Sequence, residues 1–136
     1  YVVDCSEPAN RDNLYVWRLR VEEMNGAVFV GIHDANHSHA NAGCFVFESE
    51  SANYGIGGRS GWWNVWNCDV PTRAMQKPLQ TGDWIDVIVE VHRRRVLFVV
   101  NCEDERKYVI DGISVKDEKY TLAVFLSNSC ICLKAF

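Results

Sequence analysis

Three of the four histidines fall in one short stretch, His33-Asp34-Ala35-Asn36-His37-Ser38-His39-Ala40-Asn41. Imidazole nitrogen and carboxylate oxygen are good zinc ligands, so His37 and His39 with His33 or Asp34 could hold an ion, with Cys44 nearby in sequence. The spacing matches no established zinc site. The expectation is therefore a solvated loop, with no metal and no cofactor assigned. As the rim of a binding surface, the same loop would offer hydrogen bonds from Asn36, His37 and Asn41. Its histidines would make binding pH-sensitive near neutrality.

A second constellation follows. Trp62, Trp63 and Trp66 are preceded by Gly57, Gly58 and Gly61. Tryptophan offers a large rigid face and an N–H donor, the usual anatomy of a binding hot spot. Glycine lets backbone come close to a ligand. On a strand, Trp62, Asn64 and Trp66 share one face while Trp63 and Val65 take the other, and one of those faces must be core. Tyr54, Arg59 and Trp63 are the expected anchors, and Asn64 joins the hydrogen-bonding set. Arg93-Arg94-Arg95 could meet an acidic partner or phosphate, but it also suits a solvated turn that guards an edge. Glu103 to Lys107 reads as a solvated, charged hairpin tip, and Asp83 as a cap at the entry to its strand.

Catalytic arrangements do not emerge. The sequence has no Gly-x-Ser-x-Gly elbow, no His-Glu-x-x-His and no glycine loop opening a helix. Gly55 to Gly61 is glycine-rich but is expected to lie between strands, a poor phosphate cradle. No enzymatic activity is expected.

The elements that must position these residues are strands. Residues 85, 87, 89 and 91 are all β-branched at period two, opposite Trp84, Asp86, Ile88, Glu90 and His92. After the arginine turn, Val96 to Asn101 returns, apolar on both faces, so 84–101 is predicted as a long hairpin. Tyr15 to Glu23 alternates, Asn25-Gly26 is a hairpin signal, and Ala27 to Ile32 is the predicted return strand. Further strands are predicted at Cys44–Phe47, Asn53–Ile56, Trp62–Trp66 and Arg106–Ile110. A last hairpin is predicted from Thr121–Leu126 and Cys130–Phe136, while Pro71 and Pro78 bracket a connecting segment. No window holds a sustained helical period. About ten strands imply an all-β fold, an antiparallel two-sheet β-sandwich.

The bulk numbers agree. The chain has 136 residues, 48% hydrophobic and 24% charged, which suits one domain over 1–136. It opens at Tyr1 and reads as a piece of a larger protein. A net charge of −4 argues against nucleic acid. No signal-peptide pattern or membrane-length apolar run is present, so no membrane partner is expected. The six cysteines are expected to be buried free thiols, which fits a cytoplasmic or nuclear protein. The isolated domain is expected to be monomeric.

The order of motifs resembles the SPRY family over roughly residues 14 to 136. It comprises Trp17-Arg18-Leu19-Arg20-Val21, Val30-Gly31-Ile32, Tyr54-Gly55-Ile56-Gly57-Gly58 with Ser60-Gly61-Trp62-Trp63, Gly82-Asp83-Trp84-Ile85, Leu97-Phe98-Val99-Val100-Asn101 and Tyr120-Thr121-Leu122-Ala123-Val124. It departs in three places: Cys102 follows the asparagine where glycine is usual, Arg93-Arg94-Arg95 replaces an acidic or glycine turn, and Thr121 stands for proline. The resemblance implies a bent, concanavalin-like or jelly-roll sandwich whose loops bind a protein or short peptide. Such domains serve as scaffolds or as the substrate-recognition part of a ubiquitin ligase. A carbohydrate-binding, lectin-like domain is the alternative on the same architecture.

Overall fold

The computed structural model describes residues 2–3, 14–34, 54–59, 61–67, 70–113, 120–126 and 129–134. Among them the strands are β1 (Val2–Val3), β2 (Leu14–Met24), β3 (Val28–Asp34), β4 (Tyr54–Arg59), β5 (Trp62–Asn67), β6 (Val70–Ala74), β7 (Trp84–Glu90), β8 (Arg95–Val100), β9 (Lys107–Asp111), β10 (Tyr120–Leu126) and β11 (Ser129–Lys134), with one 3-10 turn at Asp104–Arg106. A six-stranded sheet runs β1-β10-β3-β4-β5-β6, and a five-stranded sheet runs β11-β2-β7-β8-β9. Every pairing is antiparallel. The all-β, two-sheet sandwich expected from the sequence is the observed fold.

Alternation builds the core. Trp17, Leu19 and Val21 of β2, Ile85, Val87 and Val89 of β7, and Val96, Phe98 and Val100 of β8 point inward from one sheet. Val28, Val30 and Ile32 of β3, Tyr54 and Ile56 of β4, Val65 of β5, and Leu122 and Val124 of β10 meet them from the other. Each of these side chains, taken fully out of water, contributes roughly 1.5–3 kcal/mol before entropy is counted. Met75, Leu79 and Ile113 close the ends from connecting segments.

A polar knot ties the start of β7 to the turn after β8. The Asp83 carboxylate accepts from Gln80 N at 2.8 Å, Asn101 Nδ2 at 2.9 Å and Arg106 Nη2 at 3.2 Å. Asn101 Oδ1 in turn accepts from Trp84 N at 2.8 Å. Asp83 is thus the structural residue its position suggested. Asp83 and Arg106 are both buried, so each charge depends on the other.

Several expectations need correcting. The Asn25-Gly26 turn does not close a hairpin: β2 lies in the five-stranded sheet and β3 in the six-stranded one. Likewise β10 and β11 are not partners but sit in opposite sheets. Period-two patterning reports which face is buried, and a short turn serves equally well for a chain that changes sheets. Residues 70–74, expected to be a connection, form an exposed edge strand, where Pro71 is tolerated. The glycine run is not a loop: Gly55, Gly57 and Gly58 lie inside β4. His33 and Asp34 end β3 rather than begin a loop. The segment 103–107 is not merely a solvated tip, because Arg106 is buried. Cys102 is exposed rather than a buried thiol. The strand expected at Cys44–Phe47 lies outside the described residues.

Candidate binding face

The outward side of the six-stranded sheet gathers the residues best suited to recognition. Inward positions on β3 are Val28, Val30 and Ile32, so Phe29, Gly31 and His33 face out. On β4 the outward positions are Gly55, Gly57 and Arg59, and on β5 they are Trp62, Asn64 and Trp66. Register sets them in rows. Ala123, Gly31, Gly55 and Trp66 lie side by side across four strands, as do Phe29, Gly57 and Asn64 across three. Arg59 stands opposite Trp62.

The floor of this face is nearly bare backbone, and it has to be. A Cβ on Gly31 would stand 2.4 Å from Tyr54 O, and one on Gly57 would stand 2.3 Å from Val28 O. Gly57 also has a φ of 152°, which side-chain-bearing residues avoid. Trp66 fills part of the space left open. Its Nε1 donates to Gly57 O at 3.1 Å, and the residue is buried. The Trp66 ring meets Phe29 edge-on at 5.8 Å and Trp62 edge-on at 5.2 Å between centroids. Such pairs hold aromatic rings in defined orientations. Trp66 therefore buttresses Trp62, which stays 49% exposed. Beside them Asn64 is buried, and its Nδ2 has no hydrogen-bond partner among the described residues. A buried amide donor left open is costly unless something accepts from it.

The expected site residues divide. Arg59 and Asn64 are on this face, together with Trp62 and Trp66. Tyr54 is in the core cluster at 5% exposure, and Trp63 points inward, half-buried and packed against the core. Of the two adjacent tryptophans Trp62 is the exposed one, not Trp63. Tyr54 and Trp63 thus help to hold the sheet and have little surface to offer. Asn36, His37 and Asn41 lie outside the described residues. Sequence reading overlooked Phe29 and Trp62 as recognition residues. The alternation of β5 carried the signal for Trp62, since Val65 is an obvious core residue and Trp63 shares its face. Among the described residues no three His, Cys, Asp or Glu side chains converge to hold a metal ion.

Neither a family model nor a curated relative matches the sequence. Solved structures do. The SPRY domain of human HERC1 is similar with a TM-score of 0.60 and 16% identity, covering 88% of this chain and 73% of that one. The TRIM65 PSpry domain is similar with a TM-score of 0.66 and 11% identity, covering 90% of this chain and 63% of that one. The chain spans less than two thirds of that TRIM65 chain. At these identities the likeness establishes the fold, and the fold is that of SPRY domains.

Proposed function

We propose that this SPRY-fold domain is a non-enzymatic interaction module that receives a short peptide or protein surface on the outward face of its six-stranded sheet. The observation that carries the reading is the half-exposed Trp62, braced by buried Trp66 over a glycine floor. A ring held in this way loses little freedom on binding, so more of its contact energy appears as affinity. Arg59 would supply a charge-assisted hydrogen bond and the free Asn64 amide a buried one. Asn36, His37 and Asn41, between β3 and β4 in sequence, are proposed to complete the rim. By this reading the parent protein uses the domain as a scaffold or as the substrate receptor of a ubiquitin ligase in the cytoplasm or nucleus.

The test is selection of peptides on the domain, followed by titration of the selected peptide against Trp62→Ala and Arg59→Ala. Both substitutions should weaken binding at least about tenfold, while thermal unfolding moves by no more than a few degrees. Undiminished binding by Trp62→Ala would refute the site. An exposed tryptophan beside amide and guanidinium groups is also what stacking on a sugar ring requires. Saturable binding on a glycan array, with none to peptides, would replace the proposal by a lectin.

A further inference from the structure

The outward side of the five-stranded sheet is banded. Reading across the strands in register, one row is Leu14, Glu90, Arg95 and Asp111. The next is Val16, Ile88, Leu97 and Val109, apolar across all four strands. The third is Arg18, Asp86, Val99 and Lys107, and beyond it Arg20 stands opposite Trp84. None of the four belongs to the inter-sheet core cluster; Val16, Ile88 and Val109 are half-buried and Leu97 is buried in the middle of the row. Two depressions open on this side. One of about 440 Å³ is lined by Leu14, Ile88 and Leu97 with Glu90 and Arg93 at its edge, and one of about 280 Å³ by Arg18, Trp84, Asn101 and Cys102.

The charges here are unbalanced. Within the three rows each acid is already taken: Asp86 by Arg18 at 2.6 Å, Glu90 by Arg93 at 3.3 Å and Asp111 by Arg95 at 2.8 Å. Hydrogen bonding to the carboxylate, and then its charge, raise Arg18 and Arg95 above their already high ordinary values, so both stay cationic. Two cations are left over. Among the described residues Arg20 and Lys107 have no acidic partner, and Arg20 Nε is buried without a hydrogen bond. Arg20 and Arg18 flank Trp84 at 5.6 and 6.0 Å from its ring. A chain with a net charge of −4 therefore carries, beside an apolar stripe, two cations that the rows leave uncompensated, with the exposed Glu22 at the far end of β2 beyond Arg20.

From this banding we infer that the outward face of the five-stranded sheet is a second docking surface, and that its occupant is an amphipathic helix with an acidic flank. Four strands span about 14 Å, the length of roughly nine helical residues. Neighbouring rows lie about 6.7 Å apart, so a helix about 10–12 Å wide laid on the apolar row reaches the charged rows on both sides. An extended peptide, whose side chains alternate between opposite sides, would offer the stripe only every second residue. Acidic residues on the side toward Arg18 and Lys107 would meet the uncompensated cations, with Arg20 and Trp84 beyond them.

The test is fluorescence anisotropy with a stapled helical peptide of roughly 12 residues bearing one leucine stripe flanked on one side by glutamates, and a matched peptide with lysines there. The glutamate peptide should bind saturably, and the lysine peptide at least about tenfold more weakly. The double variant R20E/K107E should reverse the preference, and Ile88→Asp should abolish binding. Lys107 is exposed, so Lys107→Glu alone, which should narrow the preference for the glutamate peptide, decides the matter if the other variants do not fold. Trp62→Ala, on the opposite face, should leave peptide affinity unchanged. Equal affinity for both peptides, no binding of either, or loss of binding with Trp62→Ala would overturn the inference. So would self-association of the domain that Ile88→Asp removes while neither peptide binds, which would make the occupant a second copy.

Discussion

The two outer faces of this sandwich solve opposite problems. The six-stranded sheet presents almost no side chains along Gly31, Gly55 and Gly57, and three aromatic residues occupy the room so created. The five-stranded sheet presents a side chain at every outward position and sorts them into apolar and charged rows. The first face is specified by contacts between backbones, and a single added methyl disrupts it. The second is specified by side-chain patterning, which tolerates trimming but not reversal of charge. One face suits an inserted ring and buried hydrogen bonds. The other suits a broad partner held by an apolar stripe and long-range attraction.

The comparison presumes a shared core, and the largest effects should come from breaking it. Asp83→Ala leaves the buried Arg106 charge with only the exposed Glu103 at 3.8 Å and should cost about 3–5 kcal/mol by urea denaturation. Phe98→Ala, fully buried between the sheets, should cost about the same and weaken binding at both faces alike. If Phe98→Ala silences one face only, the faces are not supported in common.

Smaller effects sharpen the contrast. Gly31→Ala adds one methyl against Tyr54 O and should cost about 1–3 kcal/mol. Val109→Ala removes two carbons from the half-buried opposite face and should cost less, about 1 kcal/mol or below. Equal costs would mean that the bare floor is not a constraint. Smallest of all, Cys102 has a left-handed φ of 56°, directly after Asn101 at 55°. Cys102→Gly should relieve the Cβ clash and raise stability by roughly 0.5–1 kcal/mol, with no change at the Trp62 face.

How much of this was legible follows from what each signal measures. The alternation of 85, 87, 89 and 91 predicted the inward face of β7, and Val96-Leu97-Phe98 its return, because burial leaves a period-two trace. Hydrogen-bonded neighbours leave no such trace. The Asn25-Gly26 turn therefore pointed to a hairpin although β2 pairs with β7 and β11. Strand β4 was read only as far as Ile56 because glycine has low strand propensity, and only the proximity of β3 makes it the required residue at Gly57. Trp63 was favoured over Trp62 because composition marks a tryptophan cluster without saying which ring faces out. The answer lay in Val65, one residue pair away. That Arg20 and Lys107 lack acidic partners among the described residues emerges only after the acids of the rows have been matched to their arginines, which depends on register between strands far apart in sequence.

The sheet change at each end of the chain has a consequence for biosynthesis. Strand β2 pairs with β11, Leu19 opposite Leu133, and β3 pairs with β10, Ile32 opposite Leu122. Both early strands thus wait for partners that are synthesised about ninety or more residues later. Such distant pairings make folding slow, on the order of milliseconds to seconds, and expose unpaired edges to aggregation meanwhile. A nascent chain arrested before residue 120 would lack β10 beside β3 in one sheet and the edge strand β11 beside β2 in the other. Emergence of β10 and β11 is therefore the step at which both sheets can first be completed.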